Sequence, residues 1–157
     1  MSSRVVFFDP VHGLGLTVAA GSGRSWMDQP AGDPVHAHLH VDVEGPATVP
    51  EVRLRSDTGF VRWPELDRFA AALRRLAGAE QGSAELAADP GFSLTVLLRA
   101  DGRLRAETTF GTGHHVQVNV VAGTRWDWHF GLRADLPDLA DQLRAAVRDN
   151  RPGRLQP

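Results

Sequence analysis

Cysteine, lysine, isoleucine and tyrosine do not occur in this chain of 157 residues. Without cysteine there are no disulfides, thiolate zinc sites or cysteine nucleophiles. Without lysine there is no Schiff-base chemistry and no P-loop phosphate lysine. A tyrosine general acid is excluded in the same way. All 17 basic residues are arginine, which, with abundant Ala, Gly and Val, is the bias of a high-GC bacterial genome. Excess charge is lacking too. A formal net charge of −2 provides no broad attraction to nucleic acid or anionic membrane, leaving only a local patch to consider. No apolar run nears the roughly 18 residues of a membrane span. Asp9, Pro10 and His12 interrupt the apolar start before it reaches signal-peptide length. The expectation is a cytoplasmic protein with neither a nucleic-acid nor a membrane partner. No GxSxG elbow, P-loop, GxGxxG or HExxH motif occurs, so no motif identifies a reaction.

What is there is an ordinary globular composition, 42% hydrophobic and 23% charged. A chain this long buries about 68–70% of its unfolded surface as one domain. The strongest two-residue periodicity lies between Gly113 and Leu132, read as two antiparallel strands joined at Ala122-Gly123-Thr124. Val116, Val118 and Val120 alternate with His115, Gln117 and Asn119; Trp126, Trp128 and Phe130 alternate with Arg125, Asp127 and His129. The large side chains at strict period two read as core packing rather than an aromatic pocket.

Further strands are expected at Arg4–Asp9, Gly13–Ala20, Val35–Glu44, Pro50–Arg55, Phe92–Ala100 and Arg103–Gly111, with a short one at Ala84–Asp89. Gly21–Pro34 reads as a surface loop, Ser56–Gly59 as a strand-ending turn, and Asp101-Gly102 as a two-residue hairpin signal. Helices begin at Trp63-Pro64-Glu65 and near Pro137. The first carries an apolar stripe of Leu66, Phe69, Ala70, Leu73, Leu76 and Ala77 and is closed by Gly78; the second buries Leu139, Ala140, Leu143, Ala146 and Val147. Each half is thus strands followed by a proline-started helix. The product is a single α+β domain over residues 1–150, mainly antiparallel sheet with two amphipathic helices on its apolar face, and a loose tail at 151–157.

Chemistry concentrates in the histidines. His36, His38 and His40 share one face of a strand, with neighbours about 6.8 Å apart. Two adjacent imidazoles could chelate one zinc, with a third ligand from His115 or His129 and with Asp42 or Asp127 as an oxygen donor or second-sphere acceptor. His36 and His40, about 13 Å apart, are too distant to share one tetrahedral ion. The bland reading is a solvated strand face, and it is the more common one for an HxHxH pattern without a matched third ligand. A pH-sensitive face is a third reading, since imidazoles repel when charged while Asp42 and Glu44 pull the other way. His12 and His114 read as loop residues. Arg53, Arg55, Arg62, Arg68, Arg74 and Arg75 could form an anion-binding patch, although solvated faces salt-bridged to the 19 acidic residues explain them more cheaply.

The hairpin DGRLRAETTFGTGHHVQVNV, the strand WDWHFGL and the helix LPDLADQLRAAV, with the LxxFxxxLxxL pattern at Leu66–Leu76, resemble a family of small, uncharacterised actinobacterial α+β proteins. Some groups built on this plan resemble WapI-type immunity proteins of bacterial toxin systems. The matching stretches, Leu66–Leu76, Gly113–Val120, Arg125–Leu132 and Leu136–Val147, cover under half the chain and are structural rather than catalytic. The His36–His40 strand and the Gly21–Pro34 loop stand outside the pattern. The resemblance implies a non-enzymatic interaction protein that blocks a protein partner through a polar sheet face or a loop. The competing expectation is a zinc-dependent or small-ligand-binding enzyme using two of His36, His38 and His40 with His115 or His129, in which zinc would lower the pKa of a bound water toward about 7.

Overall fold

The structure, a computed structural model, describes residues 2–6, 14–21, 33–44, 53–89, 91–109 and 125–153. Strands β1 (Ser2–Val6), β2 (Leu14–Gly21), β3 (Asp33–Glu44) and β4 (Arg53–Arg62) lead into helix α1 (Trp63–Ala77). Strands β5 (Gly82–Ala88), β6 (Phe92–Leu98), β7 (Arg103–Thr109) and β8 (Arg125–Leu132) follow, then a 3₁₀ turn at Arg133–Asp135 and helix α2 (Leu136–Asn150). Each group of strands forms a four-stranded antiparallel sheet in chain order. The fold class is α+β, as the alternation and the helical stripes require. Among the described residues no helix is long and apolar enough to cross a membrane.

Both helices begin and end where local chemistry directs. Pro64 and Pro137 occupy their first turns, where a missing N–H costs nothing. Gly78 caps α1, its N–H donating to Arg75 O while the Ala79 N–H donates to Leu76 O, each at 3.1 Å. Leu66, Phe69, Ala70, Leu73 and Leu76 of α1 are buried, as are Leu139, Ala140, Leu143, Ala146 and Val147 of α2. Ala77 is only partly buried, while Trp63 and Leu136 extend the two stripes backward by a turn. The helices pack on each other, with α1 along β5 and α2 against β1 and β2. Arg74 meets Asp141 at 2.6 Å and Arg151 meets Asp67 at 3.4 Å, so the helices run antiparallel. Each fully enclosed Leu or Phe contributes about 1.5–3 kcal/mol, and this layer between helices and sheets is the core.

Three features differ from the sequence expectation. β4 does not stop at Ser56 but runs on to Arg62. Leu39 pairs with Gly59 and Val41 with Ser56, so His40 alone stands opposite Asp57 and Thr58. The turn-like residues form a β-bulge, one extra residue absorbed by the ladder with β3. The β6–β7 turn is also longer than two residues. Arg99 N–H donates to Arg103 O and Gly102 N–H to Arg99 O, each at 2.9 Å, with Gly102 at φ +80°. This is a three-residue loop whose glycine takes the left-handed position, steadied by Asp101 Oδ1 accepting from the Arg103 N–H. Finally, β8 finds its partner in β7, from Arg103 opposite Leu132 to Thr109 opposite Arg125. The strand expected at Gly113–Val121 and its turn at Ala122–Thr124 lie outside the described residues.

Among the described residues the sheets are bridged at one place. Phe60 N–H donates to Asp89 O at 2.7 Å and Asp89 N–H to Phe60 O at 3.1 Å, the one bridge among the described residues between β4 and β5. Because the pairing is antiparallel, extending it would set the start of β5 against residues that already belong to α1. The helix therefore takes over along β5, and the ladder ends.

Candidate functional site

Alternation along β3 divides its residues cleanly. Ala37 and Leu39 are fully buried, while His36 and His38 lie half-buried on the opposite, outer face. Register brings Arg62 beside His36, and Phe60 and Ala19 on either side of His38. The His38 and Phe60 rings meet edge to face, with centroids 4.5 Å apart and planes at 83°. Such a contact contributes about 0.5–1.5 kcal/mol beyond burial, so His38 packs on its own sheet. His40 pairs with Thr17 of β2 and faces the bulge of β4.

His129 pairs with Arg105 in the second sheet. β8 is the last strand of the second sheet, whereas β3 is an inner strand of the first. His12, His114 and His115 lie outside the described residues. Among the described residues no three or more His, Asp or Glu side chains gather where they could hold a metal ion. The arginines divide too. Arg68, Arg74 and Arg75 are exposed on α1, with Arg74 held by Asp141. Arg53 and Arg55 pair in register with Glu44 and Asp42, and Arg62 lines the seam between the sheets.

At that seam an open cleft of ≈ 540 Å³ is lined by the end of β4, the first turn of α1 and the end of β5. Val61, Ala88 and Phe92 adjoin it too, but they are buried, and Val61 and Ala88 alternate with the outward residues and so turn to the inner face. Phe60 and His36, both half-buried, line its outer side. Exposed Arg62 and Asp89, with half-exposed Glu65, place charge of both signs at the rim. No ion pair joins Arg62, Glu65 or Asp89 to another residue among those described. Antiparallel pairing aligns the Phe60 and Asp89 side chains on one face, and the two-residue period adds Arg62 and Ala87 to it. The outer face of the first sheet thus continues across the seam.

Sequence reasoning found the histidine face but missed Phe60 and Asp89. Phe60 followed what read as a turn, and Asp89 stood at a strand end with no local motif. The only prior signal was the Asp89-Pro90-Gly91 cluster, which marks a chain reversal but not its neighbour in space. Set against protein-family models, curated proteins and solved structures, the chain finds no match in any of the three.

Proposed function

We propose that this chain is a non-enzymatic protein-interaction module that grips a protein partner through the outer face of its first sheet, in the manner of an immunity protein of a bacterial toxin system acting in the cytoplasm. The observation that supports this reading is the outer face itself. His36, His38, Phe60 and Arg62 form a mixed aromatic and polar patch on a rigid ladder, on the side opposite the buried Ala37, Leu39 and Val61. Aromatic and arginine side chains on a stiff scaffold are what a recognition surface uses. The resemblance to WapI-type proteins points the same way.

The test is co-expression with toxin-like proteins encoded beside the gene, following growth and complex formation by size exclusion. The expected result is restored growth with a co-eluting complex that weakens about tenfold or more in Thr17→Arg/His38→Arg, two outer-face substitutions. Failure of every such pair to form a complex overturns the reading. So does near-stoichiometric zinc in the untagged protein, if chelation lowers its Tm and His38→Ala abolishes both effects. That outcome transfers the histidine strand to a metal enzyme.

A further inference from the structure

We infer that the solvent face of the helix pair is a second docking surface, one that takes an acidic segment of a protein partner. The helices lie against the inner faces of the sheets, so this face points away from the outer face of the first sheet and does not depend on it. On α1 the buried line of Leu66, Phe69, Ala70 and Leu73 leaves Arg68, Ala71 and Arg75 on the opposite side, at i, i+3 and i+7. On α2, Asp141, Arg144, Arg148 and Arg151 fall at i, i+3, i+7 and i+10 and share one exposed stripe. The two ends of that stripe touch α1, Asp141 meeting Arg74 at 2.6 Å and Arg151 meeting Asp67 at 3.4 Å. Arg144 and Arg148 therefore border the groove between the helices, across from the turn that carries Ala71.

Charge complementarity names the occupant. Arg68, Arg75 and Arg144 are exposed and make no ion pair among the described residues, while Arg148 is paired with its chain neighbour Asp149 at 3.1 Å. Asp67 and Asp141 are each matched by an arginine. The face thus keeps an excess of positive charge in a chain whose formal net charge is −2. At 1.5 Å per residue Arg68 and Arg75 stand about 10 Å apart along the axis, and packed helices lie about 8–10 Å from each other. Each guanidinium on that spacing can take a separate carboxylate through two parallel N–H···O bonds. Nucleic acid fits less well. Its binding grows with the number of phosphates neutralised, at about one charge per 1.7 Å of duplex. Here the stripe ends after about 15 Å in ion pairs that add no net charge. A duplex would run past those ends onto a chain whose remaining formal charge is negative, whereas a short acidic segment stays within them.

The experiment is fluorescence anisotropy of the labelled peptide GDEEDEEDG-amide titrated with the full chain at low salt. Saturable binding is expected, weakened about tenfold or more in Arg68→Glu/Arg144→Glu and unchanged in Thr17→Arg/His38→Arg. Both arginines are exposed and stand outside the interhelical ion pairs, so the first variant should keep its Tm and lose only the surface charge. A second readout needs no variant: in the ¹⁵N-labelled chain the peptide should shift the amides of Arg68, Ala71 and Arg144. The inference is overturned by the absence of saturable binding, or by equal affinity for the neutral peptide GNQQNQQNG-amide. It is also overturned by undiminished binding in Arg68→Glu/Arg144→Glu, or by shifts confined to other residues. Tighter binding of a short oligouridine overturns it as well, making the face a nucleic-acid surface, and loss of binding in Thr17→Arg/His38→Arg moves the peptide to the sheet face. Failure of the helix face leaves the sheet-face contact standing, because that contact is tested by toxin capture and by its own variant.

Discussion

In the first half of the chain β4 runs straight into its helix, with Arg62 as the residue before Trp63; in the second, a 3₁₀ turn at Arg133–Asp135 separates β8 from α2. The helices correspond in their first turn. Pro64 matches Pro137, Glu65 matches Asp138, and Leu66 matches Leu139. One turn later the sizes exchange: buried Ala70 and Leu73 stand where α2 has buried Leu143 and Ala146. Two helices that pack on each other can afford one large and one small residue at such positions, since density rather than identity is what a core demands. The arginines at the two junctions differ more. Arg133 is drawn in, its N–H donating to Gly102 O at 2.9 Å and its guanidinium to Glu80 O at 3.0 Å. It ties the β6–β7 turn and the α1–β5 loop to the start of α2. Arg62, at the same kind of junction, makes no such tie among the described residues and stands at the rim of the cleft. The same architecture closes one junction and leaves the other open, which is why the candidate site is in the middle of the chain.

The largest expected effects test whether the halves stand or fall together. Trp63→Ala should cost about 3–5 kcal/mol and Leu136→Ala about 2–5 kcal/mol, measured by urea unfolding. Because α1 and α2 share one interface, each variant should shift a single transition. Two separated transitions in either would show that the halves are independent bodies. A smaller effect distinguishes the two turn glycines. Gly102→Ala should cost about 1–2 kcal/mol, since a side chain at φ +80° is strained. Gly78→Ala should stay within about 0.5 kcal/mol, as its φ of −94° is ordinary and the nearest atom to a new Cβ is Arg75 O at 3.7 Å. Equal losses in thermal unfolding would mean that the β6–β7 turn relaxes. The smallest effect is the bond across the helix interface. A double-mutant cycle on Arg74→Ala and Asp141→Ala should return about 0.2–1 kcal/mol, because both side chains are half or more exposed. A coupling well above that range would mean that this ion pair, and not the apolar stripe, aligns the helices.

Much of this molecule is written locally. The α1 boundaries at Trp63 and Gly78 were legible because capping, proline placement and the 3.6-residue stripe act within a few residues of each other. The outward placement of His36 and His38 was legible for the same reason, from alternation with Ala37 and Leu39. Ser56–Gly59 misled because its turn propensity is weak beside a ladder that supplies hydrogen bonds on either side of the bulge.

From the residues alone follow the α+β class, the two helices and their buried faces, and the exclusion of thiol, lysine and tyrosine chemistry, since each depends on side-chain type or on periods shorter than a helical turn. Tertiary structure decided the rest. It paired β4 with β5 at one residue apiece, let α1 displace the remainder of that ladder, and so opened a cleft between Arg62 and Asp89. Those residues are separated by a whole helix and a strand in the chain, and no local preference records which two strand ends will meet across it.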